Sequence, residues 1–234
     1  MTTRLVFDIE ANGLLYDASR IWCICCKDLS DNQTYKFYGD SIEEGLTFLS
    51  SYDMIIGHNI TGYDIPLIQK LYPGWEYNKI RDSYVMSKLF NPERPQGHSL
   101  ESYGEQFGRV KPVHEDWTQF SDEMLYRCSE DVEINCLTYN CLVDSFCRNW
   151  SWLPALELEQ EFALLQAYQE LAGVDFDSQL ARDLLARIDQ EVDELDKILL
   201  DRIPKQVEAV GAVVSKPFKK DGSYSKMVTE WFNL

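Results

Sequence analysis

The stretch Leu5-Val6-Phe7-Asp8-Ile9-Glu10, running on into Ala11-Asn12-Gly13-Leu14, decides the reading of this chain. Its strict alternation puts Leu5, Phe7 and Ile9 on one face of a strand and Asp8 and Glu10 on the other. A solvated sheet face is the plain explanation of such a pair, yet this strand is core-like and leads straight into a glycine turn. Working outward, Ile21 to Lys27 reads as a buried second strand and Thr34 to Tyr38 as a third, across the polar Ser30-Asp31-Asn32 turn. Together they predict a three-strand meander. Ser41 with Glu44 three residues on reads as a capping box for a helix over 42–51, followed by a short apolar strand at Met54-Ile55-Ile56. Further helices are expected near 65–72, 82–90, 99–107 (ending at Gly108) and 121–148.

After Trp150-Ser151-Trp152-Leu153-Pro154 the pattern turns to nearly pure helix. Leu158, Phe162 and Leu165 give one apolar stripe, and Leu180, Leu184, Ile188, Val192, Leu195 and Leu199 a second behind an Asp177 cap. An antiparallel helix pair is expected there, so the chain divides into 1–153, an α/β domain, and 154–234, a helical segment with a basic tail. That tail, Ile203 to Lys226, holds five lysines against two acidic residues in a chain of net charge −17. It is the candidate phosphate-facing patch.

The 234 residues, 45% hydrophobic and 26% charged, have the composition of a soluble globular chain and exclude a disordered one. No apolar run approaches the ~20 residues of a membrane helix, and the N-terminus has no signal-peptide pattern, so a cytoplasmic location and no membrane partner are expected. A net charge of −17 argues against a broad polyanion coat. It leaves room for a nuclease, because metal-dependent phosphodiester hydrolysis needs clustered carboxylates that repel one another without divalent cations. The seven cysteines are an odd number and read as reduced thiols. Cys23, Cys25 and Cys26 lack a second close Cys/His pair, and zinc is not expected.

Two further acidic residues stand out by context: Asp64 in Gly57-His58-Asn59-Ile60-Thr61-Gly62-Tyr63-Asp64, and Asp131 in Cys128-Ser129-Glu130-Asp131-Val132. Alone, Asp64 would serve as a helix cap before Pro66 and Asp131 as an exposed helix residue. In combination and order, Phe7-Asp8-Ile9-Glu10-Ala11-Asn12-Gly13-Leu14, His58-Asn59 with Asp64, and Glu130-Asp131-Val132 resemble the 3′–5′ exonuclease domain of family A DNA polymerases. That is the DEDD group, and the likeness is best to polymerases of podovirus-type phages. Ile80-Arg81-Asp82-Ser83 and Gly97-His98-Ser99-Leu100-Glu101 agree with it, and Gln169 to Asp177 looks like the family's entry into the polymerase thumb. The resemblance covers nearly the whole chain but includes nothing like the palm and fingers. An N-terminal part of a larger polymerase, or a separate exonuclease subunit, is therefore expected.

The resemblance implies an α/β fold, a ribonuclease-H-like mixed sheet flanked by helices, followed by the helix pair. It implies two divalent ions, magnesium or manganese. Asp8 would bridge both, Glu10 and Asp131 would complete the first site, and Asp64 would hold the second. Asn59 falls near the terminal nucleotide, Leu14 at the apolar wedge against its base, and Lys216, Lys219 and Lys220 where duplex phosphate would pass, while His58 is expected to line or support the cleft. The partners implied are single-stranded DNA or a frayed primer 3′ end, and a polymerase domain or subunit.

One position departs from the family's pattern. Where tyrosine-type members carry Tyr four residues before the last Asp, this chain has Arg127, and Tyr126 stands five before. Positions i−4 and i share a helix face, whereas i−5 lies ~140° away, so Arg127 is the better aimed. An always-charged guanidinium is no base, but it suits a phosphate clamp. Three functions fit these residues: a proofreading exonuclease, a catalytically weak docking module for a polymerase partner, and a 3′–5′ exoribonuclease of the same fold.

Overall fold

The alternating segment forms β1 (Arg4–Ala11) in the computed structural model, which describes residues 2–146, 152–203 and 217–232. It pairs antiparallel with β2 (Ile21–Asp28), which pairs antiparallel with β3 (Thr34–Tyr38). On its other side β1 runs parallel to β4 (Met54–Gly57), and β4 runs parallel to β5 (Ile80–Asp82). The mixed sheet has the order β3-β2-β1-β4-β5, with β1 at its centre.

A central strand is covered on both faces, so its polar side chains must be accounted for in the interior. Leu5, Phe7, Ile9 and Ala11 belong to a core completed by α1 (Ile42–Ser50) and α2 (Asp64–Leu71). On the opposite face Val6, Cys23, Cys25 and Ile56 meet Met86 of α3 (Ser83–Phe90) and Met124, Cys128, Val132 and Cys136 of α5 (Asp122–Phe146). The four-residue spacing on α5 is the seam that lays this helix along the sheet. The short α4 (Leu100–Gln106) packs Leu100 and Tyr103 against Ile134. Finally α6 (Leu153–Ala172) buries Leu156 and Ala167, and its Gln160 accepts from the backbone N–H of Asp82 (2.6 Å) and donates to the Asp82 carbonyl (3.1 Å).

The α/β architecture, a mixed sheet flanked by helices with a helical C-terminal region, is the one expected. Two local readings are corrected. Ser41 does not cap α1: its hydroxyl accepts from Tyr38 N–H and donates to the Tyr38 carbonyl, closing a 3-10 turn at Gly39–Ser41 before the helix begins. Asp82, expected at the start of the 82–90 helix, instead ends the edge strand β5 and caps α3 from outside. Three residues are too few to show an alternation, and β5 exists through its parallel pairing with β4.

Two compact units are present, Met1–Gly173 and Val174–Leu234, so α6 belongs with the α/β unit. Its anchors are the Gln160 pair and an ion pair between Glu157 and Arg81 (2.9 Å). In the second unit, α7 (Ser178–Arg202) starts behind Asp177, whose carboxylate accepts from the N–H groups of Gln179 and Leu180. A bridge between Phe218 and Tyr224 precedes α8 (Lys226–Phe232). Among the described residues no helix is long and apolar enough to cross a membrane.

Candidate active site

The register of the sheet puts Asp8 opposite Cys25 and Glu10 opposite Cys23, on the face that α5 covers. Asp131 stands on α5 beside Val132, which is buried against the same face, and it therefore meets them. Carboxylate oxygens of Asp8, Glu10 and Asp131 lie within 4.8 Å of one another. Asp64 opens α2 rather than capping it, and is 4% exposed. Its charge acts on Asp8, so all four expected carboxylates share one electrostatic neighbourhood.

Asp64 is delivered by the loop after β4. Asn59 adopts φ +61°, a left-handed conformation that Asn tolerates better than most residues. The turn is tied down by Asp82, at the end of β5. One oxygen of Asp82 accepts from the N–H groups of Asn59 (2.8 Å) and Tyr84 (2.9 Å); the other accepts from the N–H (3.0 Å) and hydroxyl (2.8 Å) of Thr61. Asp82 was legible only as part of a motif; nothing in a linear reading shows that one carboxylate serves both this turn and the start of α3. Gly57 is required here for closeness, since a Cβ would sit 2.0 Å from Cγ2 of Ile60.

Burial first, and then the charges of Asp131, Asp64 and Glu10, hold the Asp8 carboxyl well above the usual range. Burial and Asp131 push Glu10 up to about 7 against the opposing Arg127 and Lys111. Burial also drives Asp64 up to about 8, opposed by backbone N–H groups and reinforced by Asp82 and Glu10. Asp131 is raised by burial and restrained by Lys111 and Arg127. Two buried oxygens, Oδ1 of Asp64 and Oδ1 of Asp131, have no hydrogen-bond partner. An all-oxygen donor set with orphaned lone pairs and excess negative charge fits a hard divalent cation.

The raised carboxyls fix a stability prediction. Folded values above the unfolded ones mean that the native state holds protons which unfolding releases, so stability falls as pH rises from about 5 to about 8. Thermal melts of the metal-free chain should show this decline. Millimolar magnesium should reverse it at the upper end and do little at the lower. A melting temperature indifferent to both would mean that the four carboxylates are not forced together.

Two basic side chains enter the cluster. Arg127 lies with its Nε 3.4 Å from Glu10, donates from its guanidinium to the Pro112 carbonyl (2.5 Å), and sits over the Trp117 ring at 5.4 Å. Tyr126, one position earlier on α5, is 57% exposed. The second cation, Lys111, was missed by the sequence reading: its Nζ is 2.6 Å from Asp131. The signal was slight, two basic residues in Arg109-Val110-Lys111 ahead of an acidic helix. In the structure Arg109 pairs with Glu130 (3.5 Å) and Glu133 (3.4 Å) of that helix.

Around the cluster, Leu14 is 76% exposed, and the turn carrying it is held by a hydrogen bond from the Tyr63 hydroxyl to the Gly13 carbonyl (2.7 Å). Asn59 is exposed on the same loop as Asp64. His58 is engaged inward: Nδ1 bonds the Ser83 hydroxyl (2.8 Å), the ring meets Tyr84 and Tyr103 edge-on, and burial lowers its pKa to about 4 against the pull of Asp82. Lys219 and Lys220 are exposed in the second unit, and Lys216 lies outside the described residues. Cys128 brings a third buried sulfur within 4.8 Å of those of Cys23 and Cys25, a neighbour that spacing along the chain did not reveal. Burial pushes the Cys128 thiol up, which favours a packed, protonated sulfur over a thiolate ligand.

Comparisons with known proteins agree with the fold. Residues 5–108 match the family model RNase_H_2, of the RNase_H superfamily. The chain is 24% identical over 252 residues to a DNA-directed DNA polymerase of Enterobacteria phage T3 and 23% identical to that of Escherichia phage T7, with 82% of this chain covered in each case. It spans 36% of the length of those relatives. Among solved structures, Brucella melitensis NrnC superposes with a TM-score of 0.58 at 16% identity, covering 75% of this chain and 90% of that one. Escherichia coli RNase D gives 0.54 at 14% identity, with coverage of 70% and 44%. The fold is ribonuclease H-like, and the carboxylate cluster stands on its central strand.

Proposed function

From a chain whose ribonuclease H-like domain resembles the 3′–5′ exonuclease domain of phage-type family A DNA polymerases, we propose that it hydrolyses DNA 3′ ends to 5′-mononucleotides. It would be the proofreading part of such a polymerase, working on single-stranded or frayed primer ends in the host cytoplasm. The observation that carries this is the convergence of Asp8, Glu10 and Asp131 in one half-buried, metal-compatible cluster, with the charge of Asp64 acting on Asp8. Residues 1–153 would be the exonuclease segment and 154–234 the segment leading toward a polymerase thumb.

Asp8 would touch both of two divalent ions, magnesium or manganese, with Glu10 and Asp131 completing one site and Asp64 holding the other. When bound there, such ions supply Lewis-acid stabilisation of the charge that builds on the phosphate and its leaving 3′ oxygen. The exposed Leu14 side chain would stack against the terminal base, Asn59 would hold the terminal nucleotide with His58 supporting it from behind, and Lys216, Lys219 and Lys220 would meet duplex phosphate. Arg127, fixed between Glu10 and Pro112, would clamp the scissile phosphate with its planar guanidinium. Replacing it with Ala should slow hydrolysis by about 100-fold, the scale of a lost transition-state donor, while Tyr126→Phe stays near native. Loss in Tyr126→Phe with Arg127→Ala near native would give the role to Tyr126.

A second reading, an exoribonuclease, is favoured by the similarity to RNase D, itself an exoribonuclease of structured RNA processing. The deciding experiment digests 5′-labelled single-stranded DNA and RNA of one sequence with magnesium or manganese. Stepwise shortening of DNA ahead of RNA is expected. Faster loss of RNA would establish the ribonuclease, and no shortening of either by folded chain would leave a docking module for a polymerase partner.

A further inference from the structure

Lys111 lies on the stretch 109–121, which has no helix or strand and reaches the cluster through this side chain. Two adjacent residues pin this stretch to α5. The Lys111 ammonium is 2.6 Å from Oδ2 of Asp131, and the Pro112 carbonyl accepts from Arg127, which in turn faces Glu10 at 3.4 Å. Six residues on, Trp117 lies under the Arg127 guanidinium, and its carbonyl accepts from the indole N–H of Trp22 on β2 (3.0 Å). Both carboxylates assigned to the first ion, Glu10 and Asp131, are thus met by cations of the chain itself.

We propose that Lys111 is an internal counter-ion of the carboxylate cluster, holding Asp131 until a divalent cation displaces it. This rests on the reading of the cluster as a metal site. Asp131 is buried, its Oδ2 is engaged by Lys111 and its Oδ1 has no partner. An ammonium 2.6 Å from one oxygen of the carboxylate leaves an ion only the other, and a divalent and a monovalent cation repel strongly across so short a gap in a partly buried site. The charge of Lys111 reaches Asp8 and Glu10 as well, so one side chain offsets repulsion over three of the four acids. Ion binding therefore includes the work of expelling Lys111, which sets the affinity of the site.

The test titrates manganese, by calorimetry and without nucleic acid, into the full chain and its Lys111→Met, Lys111→Arg and Asp8→Ala variants. Loss of the competing charge in Lys111→Met should tighten manganese binding at least ~10-fold, while Lys111→Arg, which keeps the charge, stays near native. Equal or weaker binding by Lys111→Met, with binding by the native chain still abolished in Asp8→Ala, overturns the counter-ion role and leaves the metal site standing. No binding by any of the four proteins overturns both.

Discussion

Replacing Asp8 by Asn is expected to lower hydrolysis of single-stranded DNA at least ~1,000-fold and, at the same time, to raise the melting temperature of the metal-free protein. The two effects share one cause. Asp8 is half-buried on the central strand of the sheet, where desolvation and the charges of Asp131, Asp64 and Glu10 all oppose its ionisation. An amide has nearly the same shape and none of that charge, so the apo fold is relieved of repulsion. The bridging carboxylate of the proposed site is lost with it, and several kcal/mol of transition-state stabilisation go too. Oligonucleotide digestion and thermal melts, each with and without magnesium, measure both. Unimpaired digestion would remove Asp8 from the chemistry. Lost digestion with no gain in apo stability would mean that the repulsion is absorbed elsewhere, with Lys111 the nearest candidate.

The residues that were legible in the sequence are those whose signal is local. Asp8 and Glu10 announced themselves because a period of two separates a buried face from an acidic one within six residues, and β1 follows that pattern. Arg127 could be favoured over Tyr126 from helix geometry alone, since four residues make one turn and bring it onto the Asp131 face of α5. Asp64 and Asp131 carried no pattern of their own, and only their order beside the first motif drew attention to them. What stayed hidden depends on chain folding back over long distances. Lys111 reaches Asp131 from an irregular stretch, Cys128 meets two cysteines a hundred residues away, and β5 is defined by a partner strand rather than by its own three residues. Ser41 and Glu44 matched a capping motif, but the competing 3-10 turn took the hydroxyl first, a choice made by backbone geometry that spacing does not encode.

The largest effect on stability is expected at a residue with no proposed chemical role. Asp82 is fully buried, and its two oxygens accept four hydrogen bonds, three from backbone N–H groups of Asn59, Thr61 and Tyr84 and one from the Thr61 hydroxyl. Asp82→Ala strands those donors in an enclosed site where each unmet one costs ~1–3 kcal/mol, so a loss of at least ~3 kcal/mol is expected in urea unfolding. That is a large share of the ~5–15 kcal/mol that holds a typical domain together. Asp82→Asn should fall between, because its amide keeps one acceptor and turns a donor toward donors. Gln160→Ala should cost less again, since it removes contacts only to the backbone of Asp82. The effect is also expected to reach the site. The 58–63 turn that Asp82 holds is the one that delivers Asp64, so a folded Asp82→Asn chain should bind manganese more weakly than native even though Asp82 is not among the assigned ligands. Native manganese affinity in that variant would mean that Asp64 is positioned by α2 and its core contacts alone.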